Sequence, residues 1–409
     1  MQQCQLEYED NSTTQLININ DLANPFTNDF RSISKSNFHL MCEQYLPLII
    51  DHVSSLCLSN GEETPELSEH LIHYCLTIDE FIHLRSLLLE KIDSADTILN
   101  ITSDFFYLSY LTHLKIIKCH FTYGKSPQQL IIDIWRLINL THCTLDITFE
   151  PILTFIGLPI ISKELNHLLR STPSLQHLCI TFGQSIDTKL DRVFPIPLIT
   201  TLKLDFNGSL LALTSILQNM PNLLHLKLET ETINLNGNQW KQILIDYVPK
   251  IKIFRFLMKV FSFRHNYTEE QLEDFLDTFR TPFWLDEHQW FIRCNWPQHI
   301  NKVFVLYTLP YCFSDTYVIY QNQWSKTTCP TARDYNSYDR VMNVFYKGCI
   351  DNLTLLPRCF PNIRRLTLRF PSNNHFWTII PTLDHLTSLN VIETRKNSRS
   401  EFLLEDLLN

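Results

Sequence analysis

The chain has 409 residues, 44% apolar and 19% charged, which is enough apolar material for a sizeable core and too much for a disordered chain. Its seven glycines include no GxG, GxxxxGK[ST] or GxSxG, so little backbone is available to wrap phosphates, and a formal charge of -9 argues against nucleic acid as the main ligand. A start carrying Glu7, Glu9, Asp10 and Asp21, with no apolar run near the ~18 residues of a bilayer span, predicts neither a secretory signal nor a membrane segment. The twelve cysteines contain no CxxC pair and are expected reduced, in cytoplasm or nucleus.

Residues 1–45 form an N-terminal segment without a repeat. From 46 to 259 an apolar template, L-x-x-L-x-L, recurs as Val53/Leu56/Leu58, Leu84/Leu87/Leu89, Leu111/Leu114/Ile116, Leu140/Cys143/Leu145, Leu175/Leu178/Ile180, Ile199/Leu202/Leu204, Leu223/Leu226/Leu228 and Ile251/Phe254/Phe256. The middle positions from Leu87 to Phe254 step by 27, 29, 35, 24, 24 and 28 residues. A second regularity is independent of the first: Pro173, Pro197, Pro221, Pro249 and Pro361 each stand two residues before a copy. Proline ends a helix and favours extended chain, so each marks a return from helix to strand. The segments before these returns have helical spacing. Leu130, Ile131, Ile134, Trp135 and Ile138 share one face, as do Leu165, Leu168 and Leu169, then Leu213, Ile216 and Leu217, and then Trp240, Ile243, Leu244, Tyr247 and Val248. Each unit is thus a strand and a helix that cannot cover its apolar side alone, and stacking with right-handed crossovers places the strands in parallel on one side.

Between 260 and 350 the pattern fades into an irregular α/β insertion. Thr268-x-x-Gln271 reads as a capping box opening a helix to Arg280, with Leu272, Phe275, Leu276 and Phe279 on one face. Strands are expected at 303–309 and 317–320, with degenerate repeats at Val303/Val305 and Val344/Tyr346 and a hairpin; Trp284, Trp290, Trp296 and Trp324 are expected in the core. The repeat resumes over 351–409 at Ile363/Leu366/Leu368 and Leu386/Leu389/Val391, and Phe402 to Leu408 begins a helix.

Leu111-x-x-Leu114-x-Ile116-x-x-Cys119 and Ile199-x-x-Leu202-x-Leu204-x-x-Asn207 resemble the cysteine-ended and asparagine-ended units of leucine-rich-repeat proteins of the ribonuclease-inhibitor-like type. They resemble more narrowly the repeat regions of F-box proteins. The resemblance implies an α/β solenoid, or horseshoe, with a parallel sheet on the concave face and helices on the convex face. For F-box proteins it also implies a substrate receptor docked on a cullin ubiquitin ligase. An F-box opens with Leu-Pro, which the first 45 residues lack, so the segment is read as a diverged or truncated copy. The alternatives are a free-standing scaffold and, more remotely, an enzyme with its site in 260–350.

Because the fourth and sixth positions of each unit point inward, the third, fifth and seventh face solvent. The third-position column reads Ser86, His113, His142, His177, Thr201, His225 and Ile253; the fifth, Leu88, Lys115, Thr144, Cys179, Lys203, Lys227 and Arg255; the seventh, Glu90, Ile117, Asp146, Thr181, Asp205, Glu229 and Leu257. A partner-binding surface is expected at His113, Lys115, His142, Asp146, His177, Lys203, Asp205, His225, Lys227, Glu229 and Arg255, taking a polar or acidic protein segment. A cullin-ligase adaptor is expected as a further partner only where an F-box lies upstream. No cofactor, metal, nucleic acid or membrane is expected. His70-x-x-His73 with Cys75 reads as a surface helix face, and no carboxylate pair stands out as an acid/base dyad.

Overall fold

The computed structural model describes residues 5–10, 13–18, 44, 46–60, 77–121, 127–149, 173–181, 196–261, 267–297, 303–313, 316–320, 323–330, 338–347, 360–370 and 385–393. The chain divides into two units, Met1–Leu226 with Tyr247–Ile251, and Lys227–Asp246 with Lys252–Asn409. The expected helix at 165–169, the pair His70 and His73, and the segment 402–408 lie outside the described residues.

In the first unit each template copy forms a short strand: β3 (Val53–Ser59), β4 (Ser86–Glu90), β5 (His113–Phe121), β6 (His142–Phe149), β7 (His177–Thr181) and β8 (Thr201–Asp205). Successive strands pair in parallel, and the register aligns the template with itself: Leu56 with Leu87, Leu87 with Leu114, Leu114 with Cys143, Cys143 with Leu178, and Leu178 with Leu202. All six of these side chains are buried, so the apolar spacing seen in the sequence is the core of this unit. Two strands precede the repeats, β1 (Gln5–Asp10) and β2 (Thr13–Asn18). They form an antiparallel hairpin, and β1 adds antiparallel to β3 with Leu6 opposite Leu56. Residues 5–10 and 13–18 are therefore extended, where an F-box would be helical.

Polar ladders hold neighbouring copies together. The carbonyl of Arg85 accepts N–H from both Thr112 and His113 (2.9 Å each), that of Thr112 from Thr141 and His142 (2.9 and 3.0 Å), and that of Thr141 from Gln176 and His177 (3.0 Å each). Asn139 and Asn222, one residue before their copies, donate from Nδ2 to the Ser109 and Pro197 carbonyls of the preceding turns (2.6 and 2.8 Å). Each bond satisfies a turn carbonyl that stacking would otherwise leave bare. At Lys118 the φ of 54° accompanies a shift of register, and Cys119 turns inward with its thiol against the Leu89 and Ile117 carbonyls (3.7 and 3.5 Å).

The longer helices among the described residues of this unit are α1 (Ala95–Ser103), α2 (Pro127–Trp135) and α3 (Leu210–Leu217). Ser94 and Ser209 cap α1 and α3 by accepting from the N–H of Thr97 and Ala212 (3.2 and 3.3 Å). Leu213, Ile216 and Leu217 are buried as their spacing predicts. Leu130 and Ile134 of α2 are buried too, but Ile138 is exposed. The helix stops at Trp135, the chain tightens through Leu137 N–H to Ile134 O (3.1 Å), and Leu137 takes the buried place instead. Among the described residues no helix is long and apolar enough to cross a membrane.

The second unit contains most of β9 (His225–Thr230), then α4 (Gly237–Tyr247), β10 (Ile253–Phe261), α5 (Glu269–Asp277), β11 (Ile292–Pro297), β12 (Val303–Thr308), β13 (Thr316–Tyr320), β14 (Gln323–Thr327), β15 (Asn343–Lys347), β16 (Arg365–Phe370) and β17 (Ser388–Glu393). Thr268 and Gln271 close the capping box of α5, and Leu272, Leu276 and Phe279 are buried. All four expected tryptophans, Trp284, Trp290, Trp296 and Trp324, are buried.

One expectation fails here. Strand β12 pairs antiparallel with β10, Leu257 opposite Tyr307, and β11 and β14 continue antiparallel, so Val303/Val305 is no degenerate repeat, since stacked repeat units keep their strands parallel. The same pairing puts Leu257, a seventh-position residue expected at the surface, inside an aromatic core with Tyr307, Tyr311, Tyr317 and Tyr338. Parallel order returns in a second sheet, β13–β15–β16–β17, where Tyr317 aligns with Val344, Val344 with Leu366, and Leu366 with Leu389. Val344/Tyr346 is thus a repeat strand, and Tyr317/Ile319 occupies the same register.

The Tyr307 hydroxyl is a buried hub, 2.9 Å from each of Asn295 Nδ2, Tyr317 Oη and Tyr338 Oη. Removing it while keeping the ring strands several buried partners. Tyr307→Phe is expected to cost about 1–3 kcal/mol, read as a lowered urea midpoint with an unchanged slope.

Candidate functional site

Strand alternation in the first unit sends Ser86, His113, His142, His177 and Thr201 to the face opposite the buried leucines, and the register sets them in one line. The three imidazoles stack. His113 and His142 lie 4.1 Å apart between ring centroids at 11°, and His142 and His177 lie 4.1 Å apart at 10°. Thr201 follows His177 in the register, so the stack ends there; His225, the first residue of β9, is exposed.

A threonine before two of the histidines orients the rings. Thr112 Oγ1 lies 3.2 Å from the Arg85 carbonyl oxygen, and Thr141 Oγ1 lies 3.0 Å from that of Thr112. Each oxygen also sits against the next residue's Nδ1, at 2.8 Å for His113 and 2.9 Å for His142. Each hydroxyl has one proton to share between carbonyl and ring, so the Nδ1 contact is made with either tautomer of the imidazole while the ring's orientation stays the same. Parallel rings carry their in-plane lone pairs side by side instead of converging on a point, so the stack is not built to chelate one ion. Among the described residues no group of three His, Cys, Asp or Glu is placed to hold a metal.

Burial foremost, then the charge of Lys115 and of His177, holds His113 below the usual imidazole range. Burial and the neighbouring charges of His113, His177 and Lys115 bring His142 down to about 4. His113 and His142 are therefore neutral at pH 7, and the linkage sign follows. The unfolded chain takes up a proton near pH 6.5, whereas folded His142 resists it until about pH 4. The stability that a neutral His142 leaves intact is fully present above pH 6.5 and is lost as pH falls through 4. His142→Gln is expected to flatten the decline of the urea midpoint between those limits, and an NMR titration of His142 with its midpoint near 6.5 would contradict the stack's effect.

The fifth-position line is Leu88, Lys115, Thr144, Cys179 and Lys203; Asp146 and Asp205 stand half-buried in the seventh. Lys115 and Lys203 are exposed, and among the described residues no hydrogen bond or ion pair holds either ammonium. The remaining predicted residues, Lys227, Glu229 and Arg255, belong to the second unit and do not continue an open strip. Lys227 Nζ donates to the Cys312 carbonyl, lies 4.8 Å from the centre of the Phe313 ring and is 3.9 Å from Glu229 Oε1. Arg255 Nη1 donates to the Leu309 carbonyl. Sequence reasoning missed the segment 309–313 that takes these cations, because nothing in its residues marks a contact so distant along the chain. It also missed Thr112 and Thr141, whose only signal is a Thr-His pair repeated at the same place in two copies. Burial pushes the thiols of Cys119 and Cys143 up to about 11 and 12, so they pack and do not react as nucleophiles.

No protein-family model and no curated protein matches this chain. Among solved structures it is similar to an internalin C2 (inlC2) from Listeria monocytogenes str. 4b F2365, at 15% identity over 58% of this chain and 91% of that one, with a TM-score of 0.30. It is also similar to a TLR13–ssRNA13 complex, at 13% identity over 77% of this chain and 40% of that one, with a TM-score of 0.26. The architecture is decided by the chain's own register, in which parallel strands align the same template position from Leu56 to Leu202 and a cysteine staples one copy to the last. It is that of a leucine-rich-repeat protein. The imidazole stack and the two lysines lie on the strand face opposite that inward line.

Proposed function

We propose that this leucine-rich-repeat chain is a protein-interaction module, and that the open face of β4 to β8 receives a polar segment of another protein. The observation that carries the reading is the pairing of two exposed ammonium groups, Lys115 and Lys203, that nothing among the described residues holds, with a line of stacked imidazoles on the same sheet face. Such cations suit carbonyl and carboxylate oxygens, and an imidazole nitrogen donates or accepts according to its tautomer, so a peptide's polar groups are addressed.

A display library of unstructured peptides screened against the full chain tests this. Binders are expected to lose about tenfold or more in affinity on His142→Glu or Lys203→Glu. Binders indifferent to both substitutions would place recognition elsewhere. The finer reading, a substrate receptor of a cullin ubiquitin ligase, is supported by the resemblance of the repeats alone; co-purification of the folded chain with the ligase adaptor is its test, and failure to co-purify leaves a free-standing scaffold.

A further inference from the structure

The second unit already contains an occupied version of such a face. Lys227 and Arg255 hold the fifth positions of their template copies, on the neighbouring strands β9 and β10, and both cations end on main-chain carbonyls of one loop. Along that loop Leu309, Tyr311 and Phe313 are buried while Pro310 is exposed and Cys312 half-buried, and the chain bends at Leu309, Pro310 and Phe313. The Phe313 ring, one residue after the captured Cys312 carbonyl, lies under the same Lys227 ammonium at 4.8 Å. Arg255 takes the Leu309 carbonyl four residues before Phe313. These contacts read main chain and an aromatic ring.

We propose that segment 309–313 is a built-in copy of the ligand class: the open face of the first unit binds aromatic-bearing protein segments, with Lys115 and Lys203 capturing backbone carbonyls as Lys227 and Arg255 do. This rests on the reading of that face as a protein-binding surface and changes the expected partner from an acidic segment to an aromatic one. Lys115 and Lys203 occupy the same fifth positions, exposed and, among the described residues, unheld. They lie three strand spacings apart, about 14 Å at ~4.8 Å per strand, within reach of about four or five extended residues. The flat imidazole stack in the adjoining column offers an aromatic side chain a surface as well as polar ring nitrogens.

The probe is a fluorescent peptide with the sequence of residues 307–315 carrying Cys312→Ser, titrated by anisotropy into the full chain. Binding is expected, weakened about tenfold or more by Lys115→Ala with Lys203→Ala, and weakened likewise when the peptide carries Phe313→Ala. Circular dichroism checks that the double variant is folded. Binding untouched by the lysine changes, or lost only with Lys227→Ala, means that the peptide merely exchanges with the chain's own segment and overturns the proposal. No binding of the aromatic peptide also overturns it. If library-selected peptides still respond to His142→Glu and Lys203→Glu in that case, the open face remains the binding surface and only its ligand class is wrong.

Discussion

Leu202→Asp is expected to abolish cooperative melting of the first unit near the wild-type temperature, while Lys203→Ala, one residue along, leaves the Tm within about a degree. Leu202 is 1% exposed and pairs in register with Leu178, itself 2% exposed, in the unbroken inward line. A carboxylate there would have to be desolvated without a cation or be protonated, and either course costs several kcal/mol on top of the lost apolar burial, about 2 kcal/mol for a leucine. That is comparable with the whole stability of an ordinary domain, ~5–15 kcal/mol. Because stacked repeats draw stability from their neighbours, the damage should spread to adjacent copies and not stay at β8. Lys203 is exposed, and among the described residues it has no partner to lose. The measurement is a pair of thermal and urea curves by far-UV circular dichroism. Equal losses from the two variants would reverse the assignment of the faces on which the binding surface depends.

The inward line was legible because burial demands apolar side chains at fixed steps, and a run such as Leu87, Leu114, Cys143, Leu178 and Leu202 has no other economical explanation. The facing columns follow from alternation once that line is known, which is why the three imidazoles were placeable before any coordinates. Strand direction was not legible. Val303 and Val305 are apolar for the same reason whether β12 runs parallel or antiparallel to β10, so only the pairing of Leu257 with Tyr307 separates the two cases. The fate of the cations was hidden as well, since Lys227 and Arg255 meet carbonyls 85 and 54 residues away, and a carbonyl leaves no trace in the residue type that bears it. Ile138 misled because helical spacing continues on paper past Trp135, where the chain has already turned.

Gly237→Ala is expected to destabilise the second unit by about 2–4 kcal/mol, the opposite of what helix propensity predicts. In an exposed helix, alanine gains up to about 1 kcal/mol over glycine, and Gly237 opens α4 behind a capping box in which Asn236 and Gln239 each accept the other's N–H at 3.0 Å. A Cβ at this position, however, would lie 2.2 Å from the Thr278 carbonyl oxygen, 2.5 Å from its carbon and 2.8 Å from the Phe279 nitrogen. These are main-chain atoms at the end of α5 and cannot swing aside as a flexible side chain would. The glycine is also fixed from both sides, its N–H donating to Thr278 Oγ1 (2.7 Å) and its carbonyl accepting from buried Trp284 Nε1 (3.2 Å). Relieving the clash must therefore separate the two helices, break those bonds or disturb the packing of Phe279 on Trp284, whose ring centroids are 5.0 Å apart. Urea unfolding of Gly237→Ala beside Asn238→Ala, at an exposed site one residue on, separates contact from propensity. A Gly237→Ala chain as stable as the wild type would mean that α4 and the end of α5 do not meet in solution.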